Sequence, residues 1–197
     1  QGIRKVQAAF KKIFGLGDDF ATDGGQFDRL LDDEETIDAG SLRGRVIATP
    51  GHTNDSVAYL FGDALFVGDT LFMPDSGSAR CDFPGGDAAE LYRSIQRMFA
   101  LPEDTRVFVC HDYSPGGREA RCETTIREQR DANIHVRDGV SEQEYVEMRR
   151  ARDATLEVPN LLIASVQLNI RAGALPPAEA DGVSYLRVPL NVLGRPL

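Results

Sequence analysis

A chain of 197 residues, 42% of them hydrophobic, has enough apolar side chains for one sizeable core, and the usual ~150 residues per domain points to a single domain over residues 1–197. Lys and Arg number 22 against 31 Asp and Glu, a formal net charge of −9, which argues against a nucleic-acid partner and against attraction to an anionic membrane surface. No apolar run approaches the ~20 residues that span a bilayer, no signal-peptide pattern opens the chain, and three cysteines are too few for a disulfide framework, so a cytoplasmic location is expected.

The chain begins at Gln1, not at Met, and the spacing of Ile3, Val6, Phe10, Ile13 and Phe14 already predicts a helix ended by Gly15 and Gly17. The expectation is that the true beginning lies upstream. A polar, Gly- and Asp-rich stretch from Asp18 to Gly40 reads as a loop. Arg45–Ala48 is a short strand that runs into Thr49-Pro50-Gly51-His52. Ser56–Phe61 and Ala64–Val67, joined by Gly62-Asp63, read as a hairpin closed by Gly68-Asp69-Thr70. After a Gly- and Pro-rich loop (73–86), Asp87 caps a helix that presents Ala88, Leu91, Ile95, Met98 and Phe99 on one face. Arg106–Cys110 is a buried-type strand ending at His111-Asp112-Tyr113. A charged helix is predicted from Arg118 to Asn133. Ser141 with Glu144 forms a capping box for another, running to about Leu156. A short apolar segment, Leu161–Ile170, follows. The alternation of strands and helices predicts an α/β or α+β fold.

Three candidate residues share a position: His52, Asp69 and His111 each follow a strand, where loops carry function on a rigid scaffold. Two imidazoles and a carboxylate are a ligand set for zinc or non-haem iron, and with open positions left over they suit an oxygen-activating Fe(II). Each residue also has an ordinary reading, as a hydrogen-bonded surface His or an Asp closing a turn after Gly68. His135, beyond a helix and between Ile134 and Val136, reads as structural. Of the cysteines, Cys110 inside an apolar strand reads as an inert core thiol, Cys81 in the glycine-rich loop reads as the exposed one, and the three with Cys122 are too scattered for a zinc knuckle.

Thr49-Pro-Gly-His-Thr53, Phe66-Val-Gly-Asp-Thr70 and Cys110-His-Asp-Tyr113, taken in order, resemble the metallo-β-lactamase superfamily over nearly the whole chain. The resemblance implies a four-layer αββα sandwich, with His52 and Asp69 as metal ligands and His111 serving a second metal position. Ala79-Arg-Cys-Asp-Phe83, Gly86 and Leu91-Tyr-Arg-Ser94, with His111-Asp112-Tyr113, are similar to the persulfide dioxygenase (sulfur dioxygenase) branch. The Met73-Pro74-Asp75 loop and Leu168–Gly173 are similar to bacterial β-lactamase-like hydrolases linked to sulfide detoxification. The family's His-x-His-x-Asp-His signature is not found in the 197 residues. The expectation is that this signature, and the N-terminal strands of the first sheet, preceded Gln1.

The resemblance further implies Fe(II) as the metal, with zinc as the alternative, and a small thiol persulfide such as glutathione persulfide as substrate, oxidised by O2 to sulfite. Tyr113 would hydrogen-bond near the metal, Asp112 would orient its neighbours, and Arg80 would bind a substrate carboxylate, or pair with Asp82 or Asp87 instead. The alternatives are a glyoxalase II-like zinc thioester hydrolase and a truncated remnant without catalysis. An incomplete sandwich would bare an edge strand and an apolar face, so self-association is expected.

Overall fold

The computed structural model describes residues 1–190, and the chain divides into two compact units, one of residues 31–154 and one in which residues 1–30 join the chain from 155 onward. No helix of the described residues is long and apolar enough to cross a membrane.

The larger unit is a sheet covered by helices. Its six strands are β1 (Thr36–Ala39), β2 (Leu42–Ala48), β3 (Val57–Phe61), β4 (Ala64–Phe66), β5 (Arg106–Phe108) and β6 (Glu123–Thr125), paired in sequence order. The first four form an antiparallel meander, β4 pairs parallel with β5, and β5 pairs antiparallel with β6. The parallel step follows from the helix α2 (Ala88–Phe99), which lies between β4 and β5 in the chain, since a parallel pair needs a crossover connection. The hairpin at Gly62-Asp63 forms as expected: Phe61 pairs with Ala64, and Gly62 takes a φ of +60° that other residues rarely adopt. The Asp63 carboxylate and carbonyl both accept bonds from Arg106, tying the hairpin tip to β5.

Two expectations about elements are corrected. The Asp18–Gly40 stretch is not loop throughout, because Thr36–Ala39 pairs with β2 across a turn at Gly40-Ser41. The charged helix from Arg118 does not form at its start. Residues 115–122 are drawn away by the ion pairs of Arg118, Glu123–Thr125 adds to the sheet as β6, and Thr125 then caps α3 (Ile126–Ala132) by accepting from Glu128 N. The Asp87 cap and the Ser141–Glu144 capping box form as predicted, the latter opening α4 (Glu142–Asp153).

Leu65, Val67, Leu91, Ile95, Met98, Val107, Ile126 and Tyr145 meet in one cluster where α2 and its neighbours cover the sheet. Each fully buried aliphatic side chain there is worth about 2–5 kcal/mol against truncation to Ala. On β3, β4 and β5, Tyr59, Phe66 and Phe108 lie opposite one another in register, and the Phe66 and Phe108 rings stack at 5.1 Å. Among the described residues the strands form this one sheet, the mixed α/β arrangement of the expected fold.

The smaller unit contains α1 (Ile3–Ile13) and α5 (Leu162–Asn169). Phe10, Phe14, Phe20 and Ile170 are its core. Buried Gln7 satisfies its amide by donating to Ile170 O and Gln26 Oε1 and accepting from Gly24 N, as a buried polar group must.

Candidate metal centre

Three loops at one end of the sheet carry the chemistry. The first follows β2. Its residue Gly51 has φ +139°, and a Cβ there would lie 2.4 Å from the Leu91 backbone of α2. Only glycine lets the turn lie against the helix this closely. Asp87 N donates to Gly51 O at 2.8 Å and Ser94 Oγ to Pro50 O at 2.7 Å, so α2 grips the turn at two carbonyls. The turn presents His52. The ring Nδ1 lies 2.7 Å from Arg80 O, and since a carbonyl only accepts, Nδ1 carries a proton, which in the neutral ring leaves the lone pair on Nε2. Fixing one ring nitrogen in this way is what prepares the other as a metal ligand. Phe83 packs edge-on against the same ring at 5.3 Å.

The second loop, Gly68-Asp69-Thr70, follows β4. Thr70 Oγ1 donates to Thr49 Oγ1 at 3.0 Å across a buried gap, locking the first two loops together. The Asp69 carboxylate faces two ways. Oδ2 lies 4.0 Å from His52 Nε2, while Oδ1 lies 3.3 Å from His111 Nε2 and accepts from Cys110 Sγ at 3.2 Å.

The third loop follows β5 and brings Cys110 and His111 to Asp69. The ligand atoms of Asp69, Cys110 and His111 all lie within 4.8 Å of one another. This corrects the reading of Cys110 as an inert core thiol. β5 ends at Phe108, so Cys110 lies beyond the strand and is exposed. Loss of water around its sulfur, then the hydrogen bond and charge of Asp69, push its thiol up to about 12. Cys81, expected to be exposed, is buried instead. Burial, with Asp153 nearby, raises its thiol to about 12.

Asp112 turns away from the cluster. Its side chain is almost covered and takes two bonds from Arg118 (2.6 and 2.8 Å) and one each from Ser114 N and Arg121 N. Arg118, foremost among these, holds the Asp112 carboxyl well below the usual carboxylate range. The other edge of the Arg118 fork grips Asp75 at 2.6 and 2.7 Å, so one guanidinium ties the loop after β5 to the loop 73–86. Bidentate pairs of this kind fix geometry as well as charge. Tyr113 stands edge-on to Phe72 at 5.2 Å, with His111 beside both rings. Burial first, then Asp69, raises the Tyr113 phenol above its ordinary value, so it stays a hydrogen-bond donor. Arg80 is paired with Asp82 through two 2.6 Å bonds and lies over the Phe83 ring, the ion pair weighed beside its substrate role. His135 is structural as expected: buried, its Nδ1 accepts from Ser78 N, and burial lowers it to about 4.

The donor types and spacings suit a metal. Ligands about 2.0–2.3 Å from a tetrahedral ion stand about 3.3–3.6 Å apart, close to the separations of Asp69 from His111 and Cys110. The His52–Asp69 gap is about 1 Å longer than the ~3 Å edge of an octahedral set, which rotation of the half-exposed Asp69 side chain closes. Of what sequence reasoning missed, the Cys110 signal was its place next to His111 beyond a strand end. The Arg80 carbonyl and the Arg118 fork left no signal.

The sequence profile of the metallo-beta-lactamase superfamily matches residues 5–111. The chain is 52% identical over 98% of its length to Glyoxylase B2 of Dictyostelium discoideum, covering 66% of that protein. It is 53% identical over 97% of its length to a beta-lactamase hydrolase-like protein of Agrobacterium fabrum, covering 44%. The crystal structure of ETHE1 from Myxococcus xanthus matches 73% of the chain and 60% of its own length at 36% identity, with a TM-score of 0.65. The chain thus spans less than two thirds of each of these relatives. With the family profile covering more than half of its residues and the β-sheet placing His52, Asp69 and His111 at one end, the chain belongs to the metallo-β-lactamase superfamily, a family of metal-dependent enzymes.

Proposed function

We propose that the chain carries part of the metal site of a cytoplasmic persulfide dioxygenase that converts a small thiol persulfide, such as glutathione persulfide, with O2 and water to sulfite and the free thiol. The observation that carries this reading is His52. Its Nδ1–H is spent on Arg80 O and its Nε2 faces Asp69, one His and one carboxylate of a two-His-one-carboxylate set. Likeness to ETHE1 from M. xanthus and the Arg80–Phe83 stretch support the same branch. The second His of the set is proposed to come from a His-x-His-x-Asp-His segment that the 197 residues do not contain.

Iron(II), when bound, supplies the oxygen chemistry that such a set with open positions supports. The chain's own residues do the rest. The α2 grip on Pro50 and Gly51 holds His52 where a ligand is needed, and positioning of reactants is a large part of catalysis. Tyr113, whose ring stands beside His111, would donate a hydrogen bond to a ligand held at the Asp69 end of the site. Asp112 is a positioning residue that acts through Arg118 on the backbone carrying His111. Arg80 meets the carboxylate of the thiol while Asp82 orients its fork.

The glutathione thioester hydrolase reading is kept by one observation: the second face of Asp69, aimed at His111, suits a carboxylate shared by two zinc ions. An oxygen electrode decides between them. With a His-x-His-x-Asp-His segment restored and Fe(II) loaded, the protein should consume O2 with glutathione persulfide and release sulfite, and His52→Ala should abolish this. Hydrolysis of lactoylglutathione without O2 uptake selects the hydrolase, and neither activity selects the remnant without catalysis.

A further inference from the structure

Asp69 has two faces, and the better-formed one is not the face that the dioxygenase reading uses. Oδ2 stands 4.0 Å from His52. Oδ1 is in contact with a thiol and an imidazole at 3.2 and 3.3 Å. The three donor atoms form a triangle no wider than 4.8 Å on any side. A thiolate, an imidazole and a carboxylate oxygen at about 2.3, 2.1 and 2.0 Å from one ion would stand about 3.3–3.6 Å apart, so Asp69 needs almost no movement to share an ion with both partners.

The backbone also holds this triangle in place. Val109 N donates to Cys122 O, which continues the β5–β6 pairing to the residue before Cys110. On the far side Asp112 is fixed by Arg118, Ser114 N and Arg121 N. Cys110 and His111 are therefore two consecutive residues between two anchored ones, with their side chains converging on one carboxylate oxygen. Such convergence is not required for packing, because Cys110, two residues beyond β5, is exposed.

We propose that Cys110 is a protein ligand, together with His111 and Asp69 Oδ1, of a sulfur-containing metal position beside the His52 position, and that this position takes a zinc-class ion. The inference rests on the reading of Asp69 and His111 as metal ligands. A thiolate shifts the preference of a site toward soft and borderline ions, zinc foremost, while a His and carboxylate set suits iron. One carboxylate would then join a sulfur-bearing position to an iron position, with Asp69 as the bridge. The proton that Cys110 now donates to Asp69 leaves to solvent when the sulfur takes the ion, as for any thiolate ligand. The fourth position of the tetrahedron is open to water or to the substrate sulfur.

Cobalt(II), a coloured stand-in for zinc, tests this on the 197-residue chain without any turnover. The expected result is an intense near-ultraviolet sulfur-to-cobalt charge-transfer band that saturates at one ion per chain. Cys110→Ser should remove the band, and both it and His111→Ala should weaken binding by about a hundredfold or more, since loss of an outer hydrogen-bond partner alone costs about 10–100-fold. Cys81→Ser and Cys122→Ser should leave the band unchanged, and thermal unfolding of the metal-free Cys110→Ser variant should match the parent. No cobalt binding, binding without the band, or a band that survives Cys110→Ser overturns the proposal. A failure of the dioxygenase reading is separate: it shows as absent O2 uptake with the cobalt band in place, whereas a missing band with O2 uptake intact removes only the Cys110 ligand.

Discussion

The two histidines that flank Asp69 are held by opposite means. The His52 side chain is 15% exposed, and its ring is fixed by a carbonyl, an aromatic edge and a turn pressed onto α2. The His111 side chain is 57% exposed, and the backbone on its C-terminal side is held through Asp112 by the Arg118 guanidinium with Ser114 N and Arg121 N. One end of the site is set by the core before any ligand arrives. The other stands open to solvent. Preorganisation is costly to break and insensitive to salt, while a surface clamp yields to a single substitution.

Breaking the buried framework should have the largest effect. Arg149 and Asp153 form an ion pair that is almost fully buried (1% and 6% side-chain exposure), and they hold Ser78 O and Cys81 N of the loop that carries Arg80. Arg149→Ala should cost ~3–5 kcal/mol, because it leaves Asp153 buried and uncompensated. Chemical denaturation checks this, and a loss under 1 kcal/mol would mean that the loop has other anchors. Next, Gly51→Ala forces a Cβ onto the Leu91 backbone and should cost about 3 kcal/mol. It should also abolish metal binding at the His52 end, as read by calorimetric titration with Fe(II).

Arg118→Ala sharpens the contrast from the exposed end. It leaves the almost covered Asp112 carboxylate with only Ser114 N and Arg121 N as partners and should cost about 1–3 kcal/mol, while weakening cobalt binding at Asp69 and His111 by about 10–100-fold. Lost stability with cobalt affinity unchanged would show that the clamp is only structural.

pH gives a smaller, graded test. His135 Nδ1 accepts from Ser78 N, which requires the ring neutral, and burial lowers its pKa from 6.5 to about 4. The unfolded chain therefore binds a proton that the folded chain refuses. Stability is full above pH 6.5 and falls as pH drops through the window down to about 4, by at most about 1.4 kcal/mol per unit. His135→Gln should flatten the curve in that window. Last, Arg80→Gln removes a partly exposed pair with Asp82 and should change stability by under about 1 kcal/mol. If Arg80 meets the thiol's carboxylate, KM should rise with kcat little changed.

The parts of the fold that were legible in the sequence are those whose signals are local. The Asp87 and Ser141 caps, the Gly62-Asp63 hairpin and the α2 stripe from Ala88 to Phe99 each depend on residues a few positions apart. The motifs that bring His52, Asp69 and His111 forward as candidates are local in the same way. The errors fell where a distant partner decides. Charged residues near Arg118 carry helix propensity, but Asp75, 43 residues away, takes the guanidinium. Thr36–Ala39 alternates over only four residues, too short a run to stand out from the polar stretch around it, and it is a strand because β2 offers it a ladder. Cys81 sits in a glycine-rich stretch that reads as exposed, yet Asp153, 72 positions on, draws its backbone inward. At Cys110 the apolar run Val107–Val109 suggested burial, and only the end of β5 at Phe108 places the thiol at the site.

The anchoring of loop 73–86 on α4 also has a kinetic side. Ser78 meets Arg149 and Tyr145 at separations of 71 and 67 residues. The entropy of closing so long a loop is lost before either of these bonds is gained. High contact order of this kind slows folding. The sheet meander from β1 to β4, built on near neighbours, can form early, whereas the carbonyl that orients His52 reaches its place only after α4 has docked. Folding in that order would complete the surroundings of His52 last, with Cys110 and His111 displayed before His52 is oriented.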